Sequence, residues 1–135
     1  MFKLIKILNS GRNVPEPMKI HKNTGINLPA GTPFSTDSGI AIYSDAYVAP
    51  RYISFADSPA DEDLVVCYEV SPDMLFEAEI HGTPSEAFPG DCLGYQVVGG
   101  IPSGVSTEDR NDHIIAVNLN GAVNSGDKVI VKFVS

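Results

Sequence analysis

Short apolar runs, separated by glycine, proline, asparagine, aspartate or serine, are the main pattern of this chain. The runs are rich in β-branched and aromatic residues, and several alternate apolar with polar positions, as strands with one buried face do. The pattern predicts strands over residues 2–8, 18–22, 39–44, 51–56, 63–70, 75–80, 91–98, 113–119 and 127–134. We therefore expect an all-β protein, a single small β-barrel or sandwich of about 8 to 10 short, mainly antiparallel strands.

The segment "SPDMLFEAEIHG", residues 71–82, fits either a helix or a strand. For a helix, Ser71 would be the N-cap. The capping box fails, however, because Met74 rather than Glu or Gln stands three residues later. For a strand, apolar and acidic side chains would alternate between two faces. A strand pattern comes directly before the segment, so we predict a tight turn over 71–74 and a strand over 75–80.

The organisation along the chain is that of one β-domain preceded by an arm. A chain of 135 residues is long enough to bury about two-thirds of its unfolded surface in one core. Turn phrases around Gly31, Gly90 and Gly126 are unequally spaced, so they indicate recurring hairpin chemistry rather than a tandem repeat. We predict an N-terminal strand or arm with its linker over 1–17, and a single β-barrel or sandwich domain over 18–135. The alternation of the first strand shifts phase near its middle.

Charge is unevenly distributed around a net value of −8. Five of the nine basic residues lie in the first 22 positions, namely Lys3, Lys6, Arg12, Lys19 and Lys22. The acidic body repels phosphate backbones, so we expect no nucleic-acid partner. The basic arm either docks on acidic protein surfaces, including neighbouring copies, or is an edge strand kept soluble by its lysines.

Targeting signals and cysteine chemistry add little. The opening "MFKLIKIL" is too short and too charged for an apolar targeting core, and no stretch approaches transmembrane length, so we expect no membrane partner. Cys67 and Cys92 each lie in an apolar run. Free thiols in a protein made in a reducing cytoplasm are the simplest interpretation.

Candidate catalytic and metal-binding groups do not form a recognisable pattern. Glu77 and Glu79 would share one strand face, but the chain has no tryptophan to stack on a sugar, which favours a solvated face. The acidic run "DED" lacks the alternating ligands and central glycine of a calcium loop. The three histidines are scattered without ligand spacing. We predict no catalytic residue, no metal ligand, no cofactor and no enzyme activity.

A family resemblance adds a specific expectation. The run "APRYISFADSPADEDLVVCYEVSPDMLFEAEIHG", the phrase "PGDCLGY" and the terminal "KVIVKF" resemble small virion structural proteins of tailed bacteriophages, of the head-decoration or capsid-stabilising type. The resemblance covers roughly residues 40–135 and rests on the order of strands and turns. It implies a small β-barrel that binds the outer surface of the capsid lattice and has no enzyme activity.

The resemblance also implies partners and an interface. The partners would be the major capsid protein and copies of the chain itself, as a homotrimer. The chain would be made in the host bacterial cytoplasm and located on the capsid surface of the virion. In related proteins an N-terminal arm often adds a strand to the capsid or lies across it, a mode in which backbone bonds supply affinity. That role would fall here to Phe2, Lys3, Leu4, Ile5, Lys6, Ile7 and Arg12. The chain departs from the family in lacking a long disordered or Gly/Ala-rich arm.

Two other classes of function stay open from the residues alone. One is a barrel that binds a small ligand or carbohydrate in its mouth, with or without enzyme activity. The other is a component of a phage tail or baseplate, which would also be structural.

Overall fold

The computed structural model describes residues 1–8, 15–43, 49–81, 88–108, 113–117 and 127–134, which contain eleven strands and no helix. The strands are β1 (Lys3–Ile7), β2 (Met18–Lys22), β3 (Pro33–Asp37), β4 (Ile40–Tyr43), β5 (Tyr52–Ser54), β6 (Leu64–Glu69), β7 (Met74–His81), β8 (Cys92–Val98), β9 (Ile101–Ser106), β10 (Ile114–Ala116) and β11 (Lys128–Phe133). The predicted all-β small-barrel class is confirmed, and most strand pairs are antiparallel.

The first barrel contains five strands in the order β2-β4-β3-β5-β6 and closes on itself. Strand β2 pairs antiparallel with β6 and parallel with β4, so it closes the ring. The interior is filled mainly by apolar side chains, and its buried members are Leu28, Phe34, Ala41, Tyr52, Val65 and Cys67. The ring of Phe34 stacks on that of Tyr52 with centroids 5.5 Å apart.

The second barrel runs β7-β11-β10-β8-β9 and closes where β9 pairs with the end of β7. Strand β7 follows a turn in which the Met74 N–H donates to the Ser71 carbonyl at 3.2 Å, as predicted. Its apolar residues Phe76, Ala78 and Ile80 are buried, while Glu77 and Glu79 lie on the outer face. The segment 71–82 is therefore a turn followed by a strand over its described part, and the strand prediction is confirmed.

The two barrels share apolar packing, although the sequence pattern predicted one barrel or sandwich. Ile53 of β5 and Tyr68 of β6 belong to the same buried cluster as the core of the second barrel. The link between β6 and β7 is only a tight turn, so no linker signal separates the two rings in the sequence. The division into an arm over 1–17 and a single domain over 18–135 stays a prediction.

Strands β3 and β9 were missed by the pattern, because β3 begins at a proline and β9 is interrupted by both proline and glycine. Pro33 is the first residue of β3, where a missing N–H is tolerated. Pro102 of β9 lies where its pairing with β8 shifts register. Gly104 of β9 is required by a close backbone approach, because a Cβ there would lie 2.7 Å from the Glu79 carbonyl oxygen.

Candidate functional site

The N-terminal strand β1 is the last strand of the sheet that contains the second barrel. It lies antiparallel to the first half of β7, with Lys3 opposite Glu77 and Leu4 opposite Phe76. The other edge of β7 is taken by β11. Within the described ranges β1 pairs with no second strand, so one of its edges faces outward.

A β-bulge at Ile5 sets which side chains of β1 face outward. Leu4 lies opposite Phe76 and Lys6 opposite Leu75, so Ile5 is the extra residue. Because Leu75 and Glu77 lie on the same face of β7, the bulge brings Lys6 to the same outer face as Lys3. This is the phase shift that the sequence predicted near the middle of the first strand.

Phe2 anchors the start of β1 in the core. Its side chain is 2% exposed, and its ring centroid lies 5.3 Å from that of Phe133 and 6.1 Å from that of Tyr95. Its backbone N–H donates to the Gly31 carbonyl at 3.0 Å. Phe2 therefore belongs to the buried core of the second barrel.

An apolar groove of about 400 Å³ lies between β1 and the turn and strand end of the first barrel. Its walls include Leu4, Pro15, Gly31, Ser54, Phe55 and Tyr68, with Met1, Phe2, Lys3 and Ala30 completing the lining. The groove is thus situated where the two barrels meet, a common place for binding sites.

Two aromatic residues form the far wall of the groove. The rings of Phe55 and Tyr68 meet edge to face with centroids 5.6 Å apart. Phe55 is 41% exposed, whereas Tyr68 is buried and its burial raises the pKa of the phenol well above its ordinary range. The Ser54 hydroxyl accepts the Thr32 N–H at 2.9 Å and donates to the Pro29 carbonyl. This wall of the groove therefore offers mainly apolar surface, and the Ser54 hydroxyl beside it is already hydrogen-bonded.

Outside the groove, the carboxylates of β7 lie beside cationic or titratable side chains. Lys128 Nζ is 3.3 Å from Glu77 Oε1, and His81 Nε2 is 3.2 Å from Glu79 Oε1. Both glutamates are partly exposed, at 32% and 52% for their side chains. This is the solvated strand face that the sequence predicted, and exposed pairs of this kind contribute little to stability.

Other chemistry-bearing groups are dispersed. His113 Nδ1 lies 3.1 Å from the Val134 carbonyl, while His21 is exposed on the first barrel. Cys67 and Cys92 are free thiols, the first buried and the second half-buried. No group of three or more histidine, cysteine, aspartate or glutamate residues is placed to hold a metal ion in the part of the chain that the structure describes.

The seven predicted partner-binding residues have different environments. Lys3, Ile5 and Lys6 are exposed, Leu4 and Ile7 are half-buried against the core, Phe2 is buried, and Arg12 lies outside the described residues. The opposite wall of the groove, formed by Gly31, Phe55 and Tyr68, was missed. In the sequence, only Phe55 could have indicated this wall, because it is an aromatic residue placed just after a short strand and close to a polar run.

Comparison with models of known protein families gives no match, and comparison with curated proteins also gives none. Over the ranges that the structure describes, no helix is long and apolar enough to cross a membrane.

Proposed function

We propose that this chain is a non-enzymatic phage virion structural protein that binds the outer surface of the capsid lattice and stabilises it. The observation that carries the proposal is the combination of an outward strand edge on β1 with the apolar groove beside it. A strand edge and an adjoining apolar groove are features of protein-docking surfaces, since both gain by being covered.

The rest of the scaffold suits such a role. The two barrels share one buried cluster, which includes Phe2 of the arm and Tyr68 of the first barrel. A docking surface held by a packed core loses little conformational entropy on binding. A protein bound in many copies on a lattice also needs only modest affinity at each contact, because neighbouring contacts add avidity.

The capsid, rather than another partner, is proposed from the resemblance of residues 40–135 to head-decoration proteins. The same resemblance supports the major capsid protein and further copies of the chain, as a homotrimer, as the partners. The exposed lysines Lys3 and Lys6 beside the groove favour an acidic surface on the capsid side.

Co-sedimentation with undecorated capsids of the phage that encodes the chain tests the proposal. We expect saturable binding at a fixed ratio to capsid subunits, with little binding to capsids that already carry their full set of surface proteins. Deletion of the arm is a poor test because it also removes Phe2 from the core, so Lys3→Glu combined with Lys6→Glu is preferable. Absence of pelleting at low salt would contradict the proposal, and rings or tubes formed by the protein alone would favour a tail component.

A small-ligand binding protein is the second candidate, and the groove volume favours it. The groove of about 400 Å³ is within the range of roughly 300 to 1,000 Å³ typical of ligand sites. Native mass spectrometry of the protein purified from its own host would detect a retained ligand. A stoichiometric apolar ligand that the wild type retains and the Phe55→Ser variant lacks would support this candidate over the capsid proposal.

A further inference from the structure

We propose that the groove receives an extended, acidic segment of the partner protein, which adds a short strand to the outward edge of β1 and places an apolar side chain against Phe55. This inference rests on the proposed function only in assigning the segment to the capsid. The chemical character of the segment, however, is inferred from the groove alone.

The backbone of β1 presents hydrogen-bonding groups to the groove. The N–H and the carbonyl of Phe2 both point toward Gly31. The N–H donates to the Gly31 carbonyl oxygen, and the Phe2 carbonyl oxygen would lie 2.6 Å from a Cβ added to Gly31. Successive residues of a strand direct these groups to opposite edges. The N–H and carbonyl of Leu4 therefore point to the same edge as those of Phe2, beyond the Gly31 contact and beside the groove.

The length of any added strand is limited at both ends. Gly31 already occupies the edge at Phe2, and the bulge at Ile5 interrupts regular pairing after Leu4. Backbone pairing is accordingly confined to the neighbourhood of Leu4. Most of the affinity must then come from side chains, which makes the aromatic wall of the groove the main anchor point.

Phe55 is suited to be that anchor. It is 41% exposed although it lies against the buried ring of Tyr68, so an incoming apolar side chain would cover the open part of its ring. Clustered aromatic residues at the centre of an interface commonly carry most of its binding energy. An apolar residue of the partner is expected here, since the rings of Phe55 and Tyr68 make this wall of the groove aromatic.

Charge specifies the other residues of the segment. Lys3 lines the groove, and the bulge brings Lys6 to the same outer face. Glu77, which lies opposite Lys3, already has Lys128 at 3.3 Å. A segment whose acidic side chains lie on this outer face while its apolar side chains face the groove would be complementary, and a basic segment would be repelled.

Titration of the isotope-labelled protein with synthetic peptides tests the inference without a capsid. The first peptide, of about eight capped residues, alternates glutamate with valine or phenylalanine, the pattern of a strand with two different faces. The second has the same composition with its acidic residues grouped at one end. The third replaces glutamate by lysine. Amide shifts measured by NMR identify the surface that each peptide contacts.

We expect saturable shifts at Leu4, Ile5, Gly31 and Phe55 with the alternating acidic peptide, and much weaker binding of the other two. Phe55→Ser should weaken that binding by about ten-fold or more, because it removes the anchor. Phe88→Ser is the matched control, since Phe88 is an exposed phenylalanine outside the groove, and it should bind as the wild type does. Thermal unfolding of each variant verifies that it is folded.

The same variants separate this inference from the proposed function when they are sedimented with capsids. If Phe55→Ser is folded and still pellets like the wild type, the groove inference is overturned while the capsid proposal stands. If no form pellets but the alternating acidic peptide binds the groove, the inference stands and the capsid proposal fails. Equal binding of acidic and lysine peptides, or shifts confined to other surfaces, would also overturn the inference.

Discussion

The carbonyl oxygen of Phe2 occupies the space that a side chain on Gly31 would need. A Cβ on Gly31 would lie 2.6 Å from that oxygen, and the glycine has a φ of +84°, which L-residues rarely adopt. The N–H of Phe2 donates to the Gly31 carbonyl at 3.0 Å. The first residues of the chain are therefore joined to the first barrel by a contact that only glycine permits, and this contact forms one end of the groove.

Gly31→Ala is expected to destabilise the fold by about 3 kcal/mol, since positive φ and a backbone clash act together. Gly25→Ala is the matched control. Gly25 has a φ of +95° but no atom within 4 Å of a built Cβ, so its substitution should cost only about 1 kcal/mol. Urea unfolding measures both values, and equal costs would show that the Phe2 contact contributes nothing.

Phe2→Ala should lower the free energy of unfolding by about 3 to 5 kcal/mol, as is usual when a large aromatic side chain is removed from a core. Ile5→Ser, three residues later on the same strand, should change it by at most about 0.5 kcal/mol, because Ile5 is 42% exposed. Chemical denaturation of both variants tests the difference. A small effect of Phe2→Ala would mean that the arm is not part of the core in solution.

Lys22→Met is expected to destabilise the first barrel by about 3 kcal/mol. The carbonyls that accept hydrogen bonds from Lys22 would lose their charged donor, so the cost of removing them from water would be less well offset. Lys22 is 3% exposed, and its ammonium donates to the carbonyls of Ile26, Ser58 and Pro59 at 2.5, 3.1 and 2.7 Å. Lys19→Met, at an exposed position of the same strand, is the control and should be nearly neutral. Thermal unfolding compares the two, and equal melting temperatures would contradict the role given to Lys22.

Alkaline pH should weaken the fold in a way that depends on Cys67. Burial raises the pKa of this thiol from 9.0 to about 11, so above pH 9 the unfolded chain loses the proton while the folded chain keeps it. The stability is therefore fully present below pH 9 and falls by about 2 to 3 kcal/mol as the pH approaches 11. Tyr68, whose pKa is also raised by burial, adds a loss in the same direction at higher pH.

Urea unfolding across that pH window measures the loss. Cys67→Ala should reduce the slope of stability against pH, because it removes the buried thiol. An unchanged slope in Cys67→Ala would contradict the assignment.

Much of the fold could be predicted from the sequence because local patterns determine it. The alternation around Phe76 and Glu77 identified β7. Because Met74 stands where a capping box requires Glu or Gln, a helix was disfavoured and a turn was predicted before the strand. The second barrel was not predictable, because the turn between β6 and β7 is as short as a hairpin. Strand β5 is also buried on both faces, with Tyr52 in the core of the first barrel and Ile53 in the cluster of the second. Strand β9 was missed because its glycine is explained only by the approach of the Glu79 carbonyl, a contact between segments far apart in sequence.

The candidate site, like the fold, could be predicted from the sequence only in part. Charge and position identified Lys3 and Lys6 as an exposed surface, and the phase shift at Ile5 was visible in the alternation. Burial of Phe2 depends on rings contributed by β8 and β11, and the groove depends on Phe55. Such long-range contacts leave no local pattern, so the groove could be found only once the fold was known.

Cryo-electron microscopy of undecorated capsids incubated with the purified protein tests the central claim most directly. The account predicts regular added density on the outer surface, with β1 and the groove facing the capsid and an extended capsid segment beside Leu4 and Phe55. Capsids that remain bare at saturating protein, under conditions where the protein is folded, would contradict the claim that this chain is a capsid-binding structural protein.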